Sequence, residues 1–290
     1  MSDIGDSVNP MPSLATARSF LFAPGSDGRK LAKALSAGAD AVVADLEDAV
    51  LAADKESARA VVAEALSGAR GESLRLVRVN AAGSTWFEGD LAALTAVELD
   101  AVVVPKASPE AVEQAGKLGV PVVALVETAA GLREAYAIAT DPHVEALVLG
   151  AVDLGLQLGL EPRRDGQELL HARSTLVVDS AAAGIRPPID QVWVAVHDTA
   201  GLAADCELAR SLGLRGKACI HPAQVAVVNE AFTPSADEVV RARAVVAAYE
   251  QAAAAGAGAV ALDGEMIDLP VVERARGILA NAKRSVLHAE

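Results

Sequence analysis

Two acids, Glu127 and Asp153, follow successive apolar runs, Val122-Val123-Ala124-Leu125-Val126 and Ala146-Leu147-Val148-Leu149, the second continuing through Gly150-Ala151-Val152. If these runs are adjacent parallel strands, they lie about 4.8 Å apart, and carboxylates at one rim can share a small hard cation. So few protein carboxylates suit Mg²⁺, which keeps positions for water and a chelating substrate. Each acid also has a plainer use in the first turn of a helix, where negative charge complements the helix dipole. Arg78 emerges from the alternating run Leu76-Val77-Arg78-Val79-Asn80, which sends it toward the same mouth. A guanidinium there serves a bound anion, or it pairs with Asp45 or Glu47 of Asp45-Leu46-Glu47-Asp48. Lys106 and His221 end further runs, and His221-Pro222 reads equally as the start of a helix.

These groups meet only if several strand ends are brought together, and the chain repeats a unit that does so. Short β-branched runs at 19–23, 41–45, 74–79, 101–105, 122–126, 146–149, 192–196 and 217–220 alternate with amphipathic stretches. The stretches cover 28–37, 55–66, 87–94, 109–117, 131–139, 167–183 and 202–212, with one more after Pro222. Eight such units predict a parallel sheet with helical crossovers closed into a (β/α)₈ TIM barrel, whose functional residues sit at the C-terminal strand ends. An open doubly wound sheet would show a glycine-rich phosphate turn after its first strand. Ala23-Pro24-Gly25-Ser26-Asp27-Gly28 lacks that spacing.

The barrel is expected over 18–234, after a flexible leader at 1–17 that has no periodicity. Residues 235–290 lie beyond the eighth unit and predict a helical and hairpin extension. Ser235-Ala236-Asp237-Glu238 has a capping-box spacing, a helix runs on to about Ala255, Asp263-Gly264 marks a hairpin, and a last helix covers 271–284. Such an extension covers a barrel mouth, its own or that of a neighbouring subunit.

Composition narrows the classes. Hydrophobic residues make up 52% and aromatics 3%, so the core is Ala, Val and Leu, as in strands buried on both faces. A net charge of −14 argues against a nucleic-acid binder, which needs a basic face. No apolar run reaches the roughly 18 residues of a membrane span. Cys206 and Cys219 read as small buried hydrophobes, and nothing in the composition points to export, so a cytoplasmic enzyme is expected.

An ordered set of motifs then resembles the citrate lyase β-subunit-like branch of the HpcH/HpaI aldolase family. The matching stretches are Arg18-Ser19-Phe20-Leu21-Phe22-Ala23-Pro24-Gly25, Asp45-Leu46-Glu47-Asp48-Ala49-Val50, Val77-Arg78-Val79-Asn80 and Val104-Pro105-Lys106. They continue with Ala124-Leu125-Val126-Glu127-Thr128-Ala129, Gly150-Ala151-Val152-Asp153-Leu154, Gly216-Lys217-Ala218-Cys219-Ile220-His221-Pro222 and Gly264-Glu265-Met266-Ile267-Asp268-Leu269-Pro270. The resemblance implies a Mg²⁺-dependent lyase that cleaves or forms a C–C bond in a hydroxyacyl-CoA thioester such as citramalyl-, malyl- or citryl-CoA. It implies Glu127 and Asp153 as the metal ligands and Arg78 as the contact to the substrate carboxylate or thioester oxygen. Backbone amides of Ala151, Val152 and Asp153 would cradle the keto-acid carboxylate, with Glu47 an acid near the metal waters. Asp268 would enter a neighbour's site and handle the proton at the acyl carbon, which implies a homotrimer or larger homo-oligomer. Arg29 and Lys30 are either phosphate contacts for CoA or ordinary solvated helix residues. The chain departs from the family pattern at Ala130, where Arg is common, and at Val152, where Glu is common, and both departures bear on substrate orientation. Other readings of the same residues are a CoA-free pyruvate-type aldolase, an acyl-CoA thioesterase, and a non-catalytic barrel that binds an acyl-carrier protein.

Overall fold

Runs of Val, Leu and Ala, too apolar to face water on either side, build the central sheet. A computed structural model describes residues 13–286. Its parallel strands are β1 (Ser19–Pro24), β2 (Ala41–Asp45), β3 (Leu74–Arg78), β4 (Ala101–Val104), β5 (Val122–Val126), β6 (Val144–Leu149) and β7 (Lys217–Cys219). They are ordered β6-β5-β4-β3-β2-β1-β7. The ring closes through two residues: Ile189 pairs with Val148, and Asp190 pairs with Lys217. Leu149 N–H donates to Ile189 O at 3.0 Å, and Ala218 N–H to Asp190 O at 2.9 Å. The result is the expected TIM barrel, with one strand position cut to Ile189 and Asp190.

That position corrects the strand expected at 192–196. Pro187-Pro188 fixes an extended backbone just before Ile189, so pairing is used up earlier, and the apolar run that follows lies in a loop outside the sheet. Side chains alternate as a closed sheet demands. Val43, Val103 and Val123 pack inside the barrel, while Val42, Val102 and Val122 pack outside, against the helices.

The crossovers are α1 (Gly28–Leu35), α2 (Lys55–Leu66), α3 (Phe87–Leu94), α4 (Pro109–Gly116), the pair α5 (Ala129–Arg133) and α6 (Ala135–Ala139), then α8 (Leu170–Ala183), α9 (Thr199–Leu212) and α10 (Val225–Ala231). The helix expected over 131–139 is thus two short ones, broken at Glu134. An additional rim helix, α7 (Ala151–Leu158), stops at Gly159, whose φ of 66° is the left-handed stop that glycine favours.

The leader expected to be flexible to Ala17 is packed in its last part. Leu14 and Ala17 are buried with the barrel interior, and Arg186 donates to Leu14 O at 2.6 Å and Ala17 O at 3.1 Å. Apolar side chains are needed there because the bottom of the barrel interior would otherwise face water. Residues 1–12 of that leader lie outside the described residues.

Behind the cut strand position four charges are buried together. Arg173 of α8 meets Asp190 at 2.9 Å and Asp205 of α9 at 2.7 Å, and Lys217 meets both acids at 2.6 Å. Burial works against the Lys217 ammonium, and the two carboxylates outweigh it, raising its pKa above the usual lysine range.

Residues 233–286 belong to a second compact unit. In α11 (Ala236–Ala254) the expected capping box is present: Glu238 N–H donates to Ser235 Oγ at 3.2 Å, and Ser235 N–H to Glu238 Oε2 at 2.8 Å. The hairpin β8 (Val260–Leu262) and β9 (Glu265–Ile267) turns at Asp263 and Gly264, with φ of 52° and 84°, as a two-residue hairpin turn with positive φ at both positions requires. α12 (Leu269–Val286) follows, and Val245, Ile267 and Val272 form the unit's own core. Among the described residues no helix is long and apolar enough to cross a membrane.

Two outcomes follow. Lys217→Met leaves two buried carboxylates facing one guanidinium and should lower unfolding free energy by roughly 3–5 kcal/mol in urea titration. Cys206 and Cys219 are free and buried, and burial pushes both thiols up to about 12. A disulfide-exchange reagent at pH 8 should leave the folded chain unlabelled and label both thiols in denaturant.

Candidate active site

Strand alternation puts Leu125 inside the barrel and Val126 outside it, so Glu127 turns back toward the interior axis at the rim. It is 2% exposed. Its Oε1 accepts the Lys106 N–H at 2.8 Å. Burial pushes its pKa up to about 7, the Glu47 charge adds to that, and Lys106 and Arg78 pull the other way. Two backbone features make this placement possible. Lys106 holds a φ of 46°, a left-handed conformation that disfavours side chains with a Cβ and that accompanies the aim of its N–H at Glu127. Gly150 removes an obstruction, since a Cβ there would fall 2.3 Å from Glu127 Cβ and 2.8 Å from Oε2. The Glu127 carboxylate therefore rests against the turn that opens α7.

Asp153 lies in the first turn of α7, half-buried. No hydrogen bond or ion pair engages its carboxylate among the described residues, and it lines the same cavity as Glu127. Gly150, the N-cap, has no side chain to satisfy the helix start. The N–H groups of Ala151, Val152 and Asp153 are first-turn donors without intrahelical acceptors.

Arg78, at the end of β3, is clamped. Its Nε donates to Asp45 Oδ1 at 2.7 Å and its Nη2 to Oδ2 at 2.6 Å, a two-pronged pairing that fixes the guanidinium plane. Nη1 lies 3.1 Å from Glu47 Oε2 and 3.7 Å from Asp48, and the Phe22 ring is 5.4 Å from the guanidinium carbon. Burial opposes the Arg78 charge, yet the surrounding carboxylates raise its pKa further, so it is always protonated. The salt-bridge reading of Arg78 is thus what the chain shows, and the residue also lines the cavity.

Glu47 is buried, which lifts its pKa, with Arg78 and Lys106 opposing. Lys106 Nζ donates to its Oε1 at 2.7 Å and lies 3.7 Å from Glu127 Oε1. Lys55, which sequence reasoning missed, donates to Leu46 O at 2.8 Å and Glu47 O at 2.7 Å, pinning the turn that carries Glu47. Its place at the start of α2 looks like an ordinary solvated position, and nothing local in the sequence signals burial.

Asp45, Arg78, Glu127 and Asp153 line a cavity of about 450 Å³ that also touches Phe22, Leu125, Val148 and Val192. Among the described residues no three or more His, Cys, Asp or Glu are placed to hold a metal ion. The pair Glu127 and Asp153 offers hard oxygen donors alone, one raised in pKa by burial and one without a partner. That donor set fits Mg²⁺, which takes one or two carboxylates and retains water.

Arg29 and Lys30 are exposed on the first turn of α1 and line a second cavity of about 910 Å³, which shares Pro24 and Ala49 with the first. His221 accepts the Ala223 N–H at 3.2 Å, the helix-start role. Asp268, in the second unit, accepts the Val271 N–H at 3.4 Å at the start of α12. Ala130 is exposed on α5, and Val152 is exposed on α7.

A TIM barrel with acids and one fixed guanidinium at its mouth is an architecture of aldolases and lyases, and the comparisons agree. The HpcH/HpaI aldolase/citrate lyase family model matches residues 18–222, so the chain belongs to that family. A model described as C–C bond lyase of the TIM-barrel fold matches 171–284. This is an enzyme family. The chain is 40% identical to a citrate lyase subunit beta-like protein of Deinococcus radiodurans, covering 94% of this chain and 99% of that one. It is 37% identical to a (3S)-malyl-CoA thioesterase of Cereibacter sphaeroides, covering 92% and 94%. Among solved structures, CitE of Mycobacterium tuberculosis in complex with magnesium, acetoacetate and coenzyme A matches with a TM-score of 0.82 at 35% identity, covering 93% of this chain and all of that one.

Gly150→Ala should force Glu127 out of place. The neighbouring atom is a Cβ near the backbone, which cannot swing aside, so a loss of about 1–3 kcal/mol in unfolding free energy is expected, measured by urea denaturation.

Proposed function

We propose that this chain is a Mg²⁺-dependent lyase that cleaves, or in reverse forms, the C–C bond of a hydroxyacyl-CoA thioester, giving an acyl-CoA and a 2-keto acid. The observation that carries this reading is the pairing of Glu127, held at about 7 by burial, with the unpartnered Asp153 in one cavity beside Arg78. The solved relative that holds magnesium, acetoacetate and coenzyme A supports it. Glu127 and Asp153 would hold the ion, which when bound supplies Lewis-acid and templating chemistry.

The chain's own groups do the rest. The first-turn amides of Ala151, Val152 and Asp153 hold the keto-acid carboxylate, as a helix N-terminus favours an anion. Breaking the bond leaves negative charge on the thioester oxygen, and Arg78, already fixed by Asp45, needs no reorientation to balance it. Glu47 sits between Arg78 and Lys106, where it orients both cations. Asp268 of a neighbouring copy would deliver the proton to the acyl carbon, so the working form is a homotrimer or larger homo-oligomer. Arg29 and Lys30 would meet the CoA phosphates in the second cavity.

A thioesterase reading has one observation in its favour, the malyl-CoA thioesterase relative. One assay separates the two. Purified protein with Mg²⁺ is given citramalyl-CoA, malyl-CoA and citryl-CoA, and keto acid, acyl-CoA and free CoA thiol are followed separately. Equal release of keto acid and acyl-CoA without thiol is expected, and thiol release with no keto acid would overturn the lyase. Asp153→Ala should remove turnover without changing thermal unfolding. Mixing Asp153→Ala with Asp268→Ala should restore part of the activity, and no restoration would remove the shared site.

A further inference from the structure

A third cavity, of about 540 Å³, adjoins the first and shares Ala151, Val152 and Val192 with it. Leu156 and Leu160 form one side of it, and Trp193 and Val194 form the other. Apolar side chains are left in water there: Leu156 is 83% exposed, Val194 69% and Val152 56%. A contiguous apolar patch next to a polar site marks a binding surface.

Three of the charges on its rim are engaged, while Arg164, exposed, lines it as well. Arg163 is held by Asp165 at 2.7 Å, Glu168 Oε1 accepts the Arg163 N–H at 3.1 Å, and Asp198 accepts the Gly201 N–H at 2.9 Å. Besides Arg164 and Gln191, what this cavity offers a ligand is mainly hydrocarbon.

Its opening lies at Val152, whose own N–H belongs to the row assigned above to the keto-acid carboxylate. The carbon at which the bond breaks carries four substituents. In the function proposed above, the carboxylate would face the α7 amides, the oxygen would lie on the side of Glu127 and Asp153, which would hold the ion, and the acyl arm would run past Arg78 to the second cavity. The fourth would be left with the apolar gap between Val152 and Val192, which line both the first and the third cavity.

We infer that the third cavity receives this fourth substituent, so that the favoured 2-keto acid carries an alkyl group larger than methyl. This inference rests on the function proposed above. It assigns the part of the substrate that the family resemblance leaves open.

Mg²⁺-dependent binding of glyoxylate, pyruvate and longer straight and branched 2-keto acids to the full chain, by calorimetry, tests it without turnover. Affinity should rise about fourfold per added methylene until the cavity is full. Val194→Asp and Leu156→Asp, both at exposed positions away from the proposed amide row, should abolish that rise and leave pyruvate affinity unchanged. If no keto acid binds with Mg²⁺, the functional reading falls and takes this inference with it. If glyoxylate and pyruvate bind but longer acids bind equally or less well, only the inference falls. A rise that survives both variants places the alkyl group elsewhere and overturns it. So does a change in native mass of either variant by light scattering with the length profile intact, which would make the face a contact between copies.

Discussion

The site depends on one unfavourable placement, a carboxylate buried at the barrel rim with only a backbone N–H and the edge of an ammonium for company. Glu127 is desolvated enough to hold its proton near neutrality. Such a group is costly in a folded chain unless a positive charge arrives. The surroundings make the placement compulsory. The strand alternation of β5 points it inward, Gly150 clears the space, and the left-handed Lys106 supplies the one N–H it has. Each feature is locally unfavourable or unusual, and together they keep the carboxylate from turning to water.

The two charged clusters of the barrel show how such a site differs from a structural network. Arg173, Lys217, Asp190 and Asp205 are buried and balanced, with each acid touching both cations. They bind two helices to a strand position too short to be held by sheet pairing alone. At the mouth, the ion pairs of Asp45, Glu47, Asp48 and Glu127 among the described residues are with Arg78 and Lys106, and Asp153 has none, so negative charge is in excess. A balanced cluster has no need of a ligand, while an acidic excess in a partly dry cavity is relieved by a cation.

Most of the barrel was legible because parallel strands buried on both faces leave unbroken β-branched runs, and all seven barrel strands overlap such runs within two residues of the expected bounds. Ile189 and Asp190 were not legible, since two residues carry no periodicity and one of them is an acid. α7 was hidden by Gly155, and the ordered end of the leader by its turn-forming residues. Among site residues, Arg78 and Glu127 could be placed because they stand at the ends of β3 and β5, and Asp153 because it lies in the turn of helix just after β6, so rim position follows from strand position. The conformation of Lys106, the role of Gly150 and the burial of Lys55 could not, because each is set by contacts outside its own element.

The misread segment has its own logic. A short apolar, β-branched run after Asp190 resembles a strand because such a run records apolar surroundings, and a strand is only the commonest way to supply them. Here the sheet ends at Asp190, and the same residues lie in a loop. Trp193 packs against the outer core, Val192 faces the first cavity, and Val194 faces the third. Because this loop has no ladder partner, its side chains can change without disturbing barrel closure, which Ile189 and Asp190 have already secured. Ring closure and ligand contact are therefore carried by successive residues, and selectivity can vary on a frame that cannot.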